Sequence, residues 1–243
     1  MKPISSLSYI WLFDVDGTLT APRGQIEALF EERLLRFVST HDVRIVTGGD
    51  NARILHQLGP VLTGSLHTRY NCLGNSIWRQ NAEVARQDFA VPLGLESFLL
   101  EMLTSFEYPL ARPPHFVKQN GMLAFSLLGT EASVMERQTY ERWDRRTGAR
   151  QALASQVCEV YPQLTAQVAG QTSVDIFPKG RDKSQILPYL DRPVRFFADS
   201  TQPGGNDHAL ATALLERSDG SRVYPVRDWQ DTMNLLTQYS ADF

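Results

Sequence analysis

Apolar and polar residues follow two different patterns along the chain. At the start, residues 8–14 form a short apolar run, and residues 26–38 carry apolar side chains at helical spacing with charged residues between them. Residues 43–49 repeat the apolar run and end in Gly-Gly, and Asp50 is placed to cap a second helix. Strand, helix, strand and helix in this order predict an α/β fold with a parallel sheet.

The pattern changes in the middle of the chain. There, short β-like runs are interspersed with helical stretches, and Asn120-Gly121 between two such runs indicates a hairpin. The first pattern then returns as helix, strand, helix, strand and helix. The sequence therefore predicts a Rossmann-like α/β core of residues 1–81 and 179–243, interrupted by an inserted α+β cap of residues 82–178.

Composition and charge narrow the class of function. The 243 residues are 42% hydrophobic and 21% charged, and no apolar run is long enough to span a bilayer. A net charge of -3 without a basic block gives no electrostatic footprint for nucleic acid. The first 16 residues lack the anatomy of a cleaved signal peptide, and Cys72 and Cys158 lack metal-ligand spacing. We expect a cytoplasmic protein with reduced thiols that acts on a small molecule.

Polar residues follow three of the predicted core strands. Asp14 and Asp16 come after the first strand, Thr47 after the second, and Asp199 and Asp207 after the run VRFFA. Ligands of open parallel sheets bind at the carboxyl ends of strands, so these side chains are predicted to lie together. Several carboxylates in one crevice repel each other unless a cation neutralises them, and an all-oxygen set favours Mg²⁺. Asp207 would support the waters of that metal.

The run FDVDGTLT points to phosphoryl transfer. Asp14, at the end of a buried strand, can attack phosphorus and form an aspartyl-phosphate. Asp16 would act as general acid and then base, provided that the local backbone stays extended and both side chains point the same way. Thr47 would donate its hydroxyl to the phosphoryl oxygens, Lys183 would offset negative charge, and Asp199 would complete the Mg²⁺ site.

Each of these features has a plainer interpretation by itself. DVDGT can be an acidic turn, Thr47 a hydrogen-bonding residue at a strand end, and Lys183 a solvated lysine at a helix start. Their order around a returning α/β core favours the catalytic interpretation, because all of them then meet at one edge of the sheet.

The motifs FDVDGT, VTGG, the Lys183 segment and FADSTQPGGND resemble those of the haloacid dehalogenase superfamily of phosphoryl-transfer enzymes. The inserted segment matches the position of that superfamily's larger α/β cap. Within the superfamily, DVDGTLTAPR, QNGML, GQTSVDIFPKGRDK and FFADSTQPGGNDH resemble the eukaryotic-type phosphomannomutase family over nearly the whole chain. The resemblance implies Mg²⁺ ligation by Asp14, Asp199 and the carbonyl of Asp16, and a homodimer formed through the cap.

The substrate end of the resemblance is less regular. It implies four residues that hold the sugar and its distal phosphate, namely Arg23, Arg137, Ser173 and Asp175. At two further positions of this kind, Gln119 and Thr130 stand where the family has arginine. Arginine binds phosphate bidentately and always carries charge, so the two replacements weaken the expected grip on a distal phosphate. Lys118 is the neighbouring cation that could compensate.

Three functions remain open at this point. The first is a Mg²⁺-dependent hexose phosphate mutase that interconverts mannose 6-phosphate and mannose 1-phosphate, with a hexose 1,6-bisphosphate as activator. The second is a sugar-phosphate phosphatase on the same scaffold, and the third is a non-catalytic regulator that binds a phosphosugar. A mutase needs the distal grip because its bisphosphorylated intermediate must turn round, whereas a phosphatase needs only water.

Overall fold

The computed structural model describes residues 9–106 and 108–239. The chain forms two compact units, a core of Met1–Arg86 and Asp182–Phe243 and a cap of Gln87–Arg181. The first eight residues lie outside the described part, and with them the first position of the strand predicted at residues 8–14 and half of the segment considered as a signal peptide.

Eleven strands and seven α-helices make up the described chain. The strands are β1 (Ile10–Phe13), β2 (Asp42–Val46), β3 (Thr68–Asn71), β4 (Ser76–Arg79), β5 (Ala82–Arg86), β6 (Phe116–Gln119), β7 (Met122–Ser126), β8 (Leu164–Ala169), β9 (Ser173–Pro178), β10 (Val194–Ala198) and β11 (Arg222–Pro225). The helices are α1 (Ala28–Val38), α2 (Asn51–Ser65), α3 (Leu95–Ser105), α4 (Val134–Thr147), α5 (Ala149–Val160), α6 (His208–Leu215) and α7 (Trp229–Tyr239). Short 3₁₀ helices cover Cys72–Gly74 and Lys183–Tyr189.

The core contains a seven-stranded sheet in the order β11-β10-β1-β2-β3-β4-β5. The five strands from β11 to β3 run parallel, and β4 and β5 extend the sheet as antiparallel strands. Every residue of β1 and β2 is buried, as expected for the centre of a parallel sheet, and in β2 this includes Asp42 and Arg44. The predicted α/β class is confirmed.

The boundary between the two units differs from the predicted one. Residues 82–86 form β5, which pairs with β4 in the core sheet, although the sequence placed them in the cap. A β-like pattern shows that a segment is extended but does not show which sheet it joins, because that depends on a partner strand. At the other boundary, residues 179–181 group with the cap.

Apolar side chains cover both faces of the core sheet. On one face, strand residues that include Trp11, Phe13, Val43 and Ile45 share a buried cluster with residues of α1, α2 and α7, among them Phe30, Leu34, Ile54, Leu58 and Leu236. On the other face, Ile10, Leu12, Val46, Tyr70 and Phe196 share a cluster with Ile186, Leu190, Leu210 and Leu214. Successive side chains along a strand point to opposite faces of the sheet. The position of a polar residue in its strand therefore decides which helices its side chain can contact.

Two segments differ from the helices that the sequence predicts. The stretch after Asp182 was expected to be an α-helix but forms a 3₁₀ helix over Lys183–Tyr189, and Pro188 within it has no N–H to donate to an α-helical bond. The helix α5 was not predicted. It begins directly after α4, because Gly148 adopts a left-handed conformation that ends one helix and starts the next.

The cap has its own four-stranded antiparallel sheet in the order β6-β7-β9-β8. The predicted hairpin is confirmed, since β6 and β7 pair across Asn120 and Gly121, and Gly121 has a φ of 70°. Helices α3 and α5 cover one face through a cluster that includes Leu99, Leu153, Leu123, Phe125, Val174 and Ile176. The opposite strand positions form what we call the open face of the cap sheet, on which Met122, Ser126 and Phe177 are buried. Within the described ranges, no helix is long and apolar enough to cross a membrane.

A buried ion pair lies at the start of β2 and gives a test of this fold. Arg44 donates from Nε and Nη2 to the Asp42 carboxylate at 3.0 and 2.8 Å, and Arg192 also donates to it. Burial by itself would raise the pKa of Asp42, but the hydrogen bonds from Arg44 outweigh it and lower the pKa. The ionised Asp42 therefore stabilises the fold above its unfolded pKa, and this contribution is lost as the pH falls through the lower folded value.

We expect Asp42→Asn to lower the free energy of unfolding by about 2–3 kcal/mol at neutral pH, because it removes charged hydrogen bonds to a buried arginine. Urea unfolding at several pH values measures the loss, which should shrink in acid. Asp191→Asn is the matched control, since its exposed carboxylate lies 3.9 Å from the same Arg44 and should contribute less than about 0.5 kcal/mol. Equal losses of stability in the two variants would contradict a stabilising role for the buried pair of Asp42 and Arg44.

Candidate active site

Asp14 directly follows the central strand β1 and is almost completely buried. Its backbone N–H donates to the Phe197 carbonyl at 3.0 Å, which continues the pairing of β1 with β10, and the residue is 4% exposed. Lys183 Nζ lies 2.6 Å from Asp14 Oδ1 and 2.6 Å from Asp207 Oδ1. The lysine is fully buried, so its charge is held between two carboxylates.

Three carboxylates converge at this point. Oxygen atoms of Asp14, Asp199 and Asp207 all lie within 4.8 Å of one another, and Asp207 Oδ2 is buried without a hydrogen-bond partner among the described residues. Burial and the like charges of Asp207 and Asp199 raise the pKa of Asp14 well above its usual range, although Lys183 opposes the shift. Burial and Asp207 raise the pKa of Asp199 to about 6. The single positive charge of Lys183 therefore does not neutralise the three carboxylates. Their oxygen atoms can hold a hard divalent cation such as Mg²⁺.

The lysine remains a cation in these surroundings. Burial by itself would lower the pKa of Lys183, but the charges of Asp14 and Asp207 outweigh it and raise the pKa above its ordinary value. Lys183 therefore supplies a fixed positive charge next to Asp14 Oδ1.

Glycines allow the loops around the carboxylates to approach closely. Gly17 has a φ of 83°, and a Cβ there would lie 2.6 Å from Asp199 Oδ2. In the loop after β10, a Cβ on Gly205 would lie 2.0 Å from the Ser200 carbonyl oxygen, which also accepts from the Asp207 N–H at 3.2 Å. The Pro-Gly-Gly segment therefore folds back on itself and returns Asp207 to the neighbourhood of Asp199.

Asp16 does not join the carboxylate group. Its side chain accepts hydrogen bonds from the Arg23 N–H at 2.6 Å and from Gln57 Nε2 at 3.0 Å, and it pairs with Arg53 Nη2. The chain turns at Gly17, whose N–H donates to the Thr20 carbonyl, so the extended backbone that would align both aspartates does not continue. Burial would raise the pKa of Asp16, but the Arg53 charge and the Arg23 N–H outweigh it and lower the pKa.

Thr47 follows β2 and orders the loop that leads into α2. Its N–H donates to the Tyr70 carbonyl at 2.9 Å, and its Oγ1 accepts from the Gly49 N–H at 3.0 Å. Asp50 then caps the helix by accepting from the Arg53 N–H at 2.8 Å. The hydroxyl of Thr47 thus lies beside the N-terminus of a helix, a place where anions bind favourably.

Arg53 and Gln57 are site residues that the sequence reasoning missed. They lie one helical turn apart on α2, and Arg53 Nε donates to Gln57 Oε1 at 3.2 Å while both contact Asp16. The available signal was their four-residue spacing on the helix that follows the Thr47 loop, which puts both on one face. Nothing in the residue types alone distinguishes this pair from a solvated helix surface.

Arg23 lies in the core, and its backbone N–H donates to Asp16. It has a φ of 60°, an uncommon conformation for a residue other than glycine. The structure therefore places the residue next to the predicted acid/base group.

Arg137 binds within the cap itself. Its guanidinium donates to the carbonyls of Ala132 and Thr130 at 2.9 and 2.6 Å and to Thr172 Oγ1 at 3.3 Å. Thr130 Oγ1 in turn donates to the Pro114 carbonyl at 3.1 Å. These contacts hold the segment between β7 and α4 in place.

The other cap candidates lie on the sheet. Ser173 and Asp175 alternate with the buried Val174 along β9, and Gln119 pairs with Met122 across the hairpin, so all three occupy the open face. Gln119 Oε1 is buried and has no hydrogen-bond partner within the described part of the chain. Lys118 lies on the opposite face, where it pairs with Glu96 of α3 at 2.7 Å. Lys118 therefore does not replace the missing arginines.

Comparisons with known proteins identify the family of the chain and its fold. A sequence model of the eukaryotic phosphomannomutase family matches residues 30–239. The chain is 31% identical over 239 residues to a phosphomannomutase of Saccharomyces cerevisiae, covering 93% of this chain and 92% of that one. It is 35% identical over 213 residues to a phosphomannomutase of Arabidopsis thaliana, covering 83% and 86%.

Solved structures share the fold at lower sequence identity. A haloacid dehalogenase-like hydrolase from Bacteroides thetaiotaomicron superposes with a TM-score of 0.60 at 11% identity, over 96% of this chain and 99% of that one. This likeness shows the haloacid dehalogenase-like fold, and the sequence matches are more specific. The chain belongs to the eukaryotic phosphomannomutase family.

Proposed function

We propose that this protein is a Mg²⁺-dependent phosphosugar mutase that transfers the phosphoryl group through Asp14 and interconverts mannose 1-phosphate and mannose 6-phosphate. The observation that carries the proposal is the contact of buried Asp14 with buried Lys183, next to two further carboxylates. The sugar is inferred from the names of the relatives, since two phosphomannomutases match over most of their length. Core chemistry and family membership thus support the same reaction.

The transfer begins with Asp14. One of its carboxylate oxygens forms a bond to phosphorus while the bond from phosphorus to the sugar oxygen breaks, which leaves an aspartyl-phosphate. Lys183 offsets the charge that gathers on the nucleophile and the phosphoryl oxygens. Thr47 and the N–H groups at the start of α2 bind those oxygens. In the second half, a sugar hydroxyl attacks the same phosphorus and the Asp14 oxygen leaves.

The carboxylates fit a bound cation. Asp14, Asp199 and Asp207, with the carbonyl of Asp16, would hold Mg²⁺, and the unpartnered Asp207 Oδ2 is an acceptor that such a site uses. When bound, Mg²⁺ neutralises the carboxylates and draws charge from the phosphoryl oxygens. Lys183 remains necessary, because it contacts Asp14 directly.

Asp16 would give a proton to the departing sugar oxygen and take one from the attacking hydroxyl. Its side chain contacts Arg53, Gln57 and the Arg23 N–H, so these partners set its orientation before a sugar binds. We infer that Arg53 and Gln57 hold the acid/base group in a resting orientation between turnovers.

A sugar-phosphate phosphatase is the second candidate, and the open face of the cap favours it. Among the described residues, the strand positions of this face contain no lysine or arginine: Val117, Gln119, Met122, Ala124, Ser126, Thr165, Gln167, Ala169, Ser173, Asp175 and Phe177. Amides, hydroxyls and one carboxylate suit sugar hydroxyls better than a second phosphate. In this candidate reaction Asp14 takes the phosphoryl group of a monophosphorylated sugar, and water then attacks the phosphorus so that free phosphate leaves Asp14.

One assay separates the functions. The purified protein is incubated with Mg²⁺ and mannose 1-phosphate, with and without a hexose 1,6-bisphosphate, while mannose 6-phosphate and free phosphate are followed. We expect mannose 6-phosphate whose formation depends on the bisphosphate and on Mg²⁺. Free phosphate as the main product would identify the phosphatase. Binding without either product, across a panel of phosphosugars, would support the non-catalytic regulator and overturn the enzymatic proposal.

Gln119 offers a direct test of the distal phosphate site. We expect Gln119→Arg to raise the affinity for a hexose 1,6-bisphosphate by about tenfold, because a guanidinium forms charge-assisted hydrogen bonds with phosphate. Isothermal titration without Mg²⁺ measures the affinity. Lys118→Met, on the helix-covered face, is the matched control and should leave it unchanged. An unchanged affinity of Gln119→Arg would mean that the distal phosphate binds elsewhere.

The homodimer through the cap stays a prediction, which sedimentation analysis tests.

A further inference from the structure

Asn71, the last residue of β3, has a buried side chain without a hydrogen-bond partner among the described residues. The residue is 0% exposed, and neither Nδ2 nor Oδ1 has a hydrogen-bond partner among the residues that the structure describes. A carboxamide taken out of water without partners is costly, and buried polar groups are almost always satisfied. Its position therefore calls for a partner that is not part of the described chain.

The sheet register places Asn71 beside Thr47. Strands β2 and β3 run parallel with Val46 opposite Tyr70, so the next position on each strand brings Thr47 next to Asn71. The two side chains lie on the same face, because Val46 and Tyr70 both belong to the buried cluster on the other one. Arg69, two residues before Asn71, confirms the face, since its Nη1 donates to the Thr63 carbonyl of α2 at 2.6 Å.

Backbone contacts hold this position against the Thr47 loop. The Cys72 N–H donates to the Gly49 carbonyl at 3.0 Å, and the Leu73 N–H donates to the Thr47 carbonyl at 2.8 Å. Cys72 and Leu73 have φ angles of 49° and 61°, which residues other than glycine adopt at a cost. The turn after β3 therefore keeps its unusual backbone while it fixes Asn71 beside the loop.

The surroundings of Asn71 suit an anion. The Thr47 hydroxyl, which accepts from the Gly49 N–H, and the positive end of α2, which kinks at Gly59, lie at this edge of the sheet. The carboxamide would add two N–H donors, and phosphate oxygens are acceptors only. We propose that Asn71 is a phosphate-binding residue, whose Nδ2 donates a hydrogen bond to the phosphoryl group bound at the loop between Thr47 and Gly49. The inference rests on the proposed phosphoryl transfer and adds to it a group from β3.

Two variants test the role of Asn71. Asn71→Asp keeps the shape but replaces the donor with a like charge, and Asn71→Leu keeps the volume and removes the unpaired polar atoms. We expect Asn71→Leu to be at least as stable as the wild type in urea, because an apolar group of similar shape avoids the cost of the buried amide. Both variants should lose the rise in Tm that inorganic phosphate gives the wild type with Mg²⁺, and kcat should fall by roughly 10²-fold, as when one anion-stabilising donor is removed.

The matched control is Thr63→Val. Thr63 Oγ1 on α2 is also buried without a partner among the described side chains, yet it lies near the far end of that helix. Thr63→Val should leave kcat and the phosphate effect on Tm unchanged. Suppose that Asn71→Leu or Asn71→Asp folds and that its kcat and its phosphate-dependent rise in Tm both stay within twofold of the wild-type values. Asn71 then has only a structural role, and the proposal is overturned.

Failure of the broader proposal looks different. In that case the wild type shows no turnover of any phosphosugar, and Asp14→Asn behaves identically. The change in Tm with inorganic phosphate still reports on Asn71, because binding of the anion requires no chemistry. Suppose that the wild type has no activity but shows a phosphate-dependent rise in Tm, and that this rise is lost in Asn71→Asp. The mutase proposal is then refuted, while the proposal that Asn71 binds phosphate is supported.

Discussion

Asp14→Asn is expected to lower kcat/KM for phosphosugar turnover by at least about 10⁴-fold, because removal of a covalent nucleophile leaves only binding and charge stabilisation. The loss applies to mutase and phosphatase alike, since both pass through the same aspartyl-phosphate. Initial rates with mannose 1-phosphate, measured from both sugar 6-phosphate and free phosphate, give the effect. A residual activity above about 1% would show that another group accepts the phosphoryl group.

Stability provides an independent control for the same variant. Burial and two like charges raise the pKa of Asp14, so its ionised form destabilises the fold at neutral pH. Lys183 keeps its contact with Asp207 when Asp14 is replaced. We therefore expect Asp14→Asn to be no less stable than the wild type in urea without Mg²⁺. A variant that had lost both activity and stability would not distinguish a nucleophile from a structural residue.

Lys183→Met is expected to lower the free energy of unfolding by about 3–5 kcal/mol, as loss of one partner in a buried ion pair usually does. The reason is that Asp14 and Asp207 would remain buried without the cation that contacts both. Urea unfolding at neutral pH without Mg²⁺ measures the loss. Adding Mg²⁺ should restore part of it, because a cation that binds only the folded state stabilises that state.

A second substitution checks the cause. In the double variant Lys183→Met with Asp207→Asn, one uncompensated charge is gone, so part of the stability should return. Lys179→Met is the matched control, because Lys179 is exposed and should contribute less than about 0.5 kcal/mol. A loss below about 1 kcal/mol in Lys183→Met would mean that water reaches the carboxylates and that the ion pair is not truly buried.

Much of the core could be predicted from the sequence because its signals are local or are ordered along the chain. A continuous apolar run identifies β1, and the run VRIV before Gly-Gly identifies β2. The order of the motifs brings Asp14 to Lys183 although they lie 169 positions apart. The orientation of Asp16 could not be predicted in the same way. Arg53 and Gln57 decide it, and their side chains meet Asp16 only after α2 has packed on the sheet.

The expected role of Lys118 was wrong although the sequence contained the signal that decides it. Lys118 follows Phe116 by two positions, so alternation along β6 already assigns it to the face that carries the apolar cluster. By contrast, no sequence pattern marks an unpaired side chain such as that of Asn71, because pairing depends on everything around it. The same is true of the core boundary at β5, which depends on its partner strand.

The centre of the core sheet joins two distant parts of the chain, since Ile10 of β1 pairs with Val194 of β10. During synthesis, β1 leaves the ribosome long before β10 exists, and the whole cap is made in between. The nucleophile therefore waits without its lysine, and the last gap in the sheet closes only near the end of translation. Translation that ends within the cap would release a chain with an unfinished central sheet, whose exposed strand edge favours aggregation.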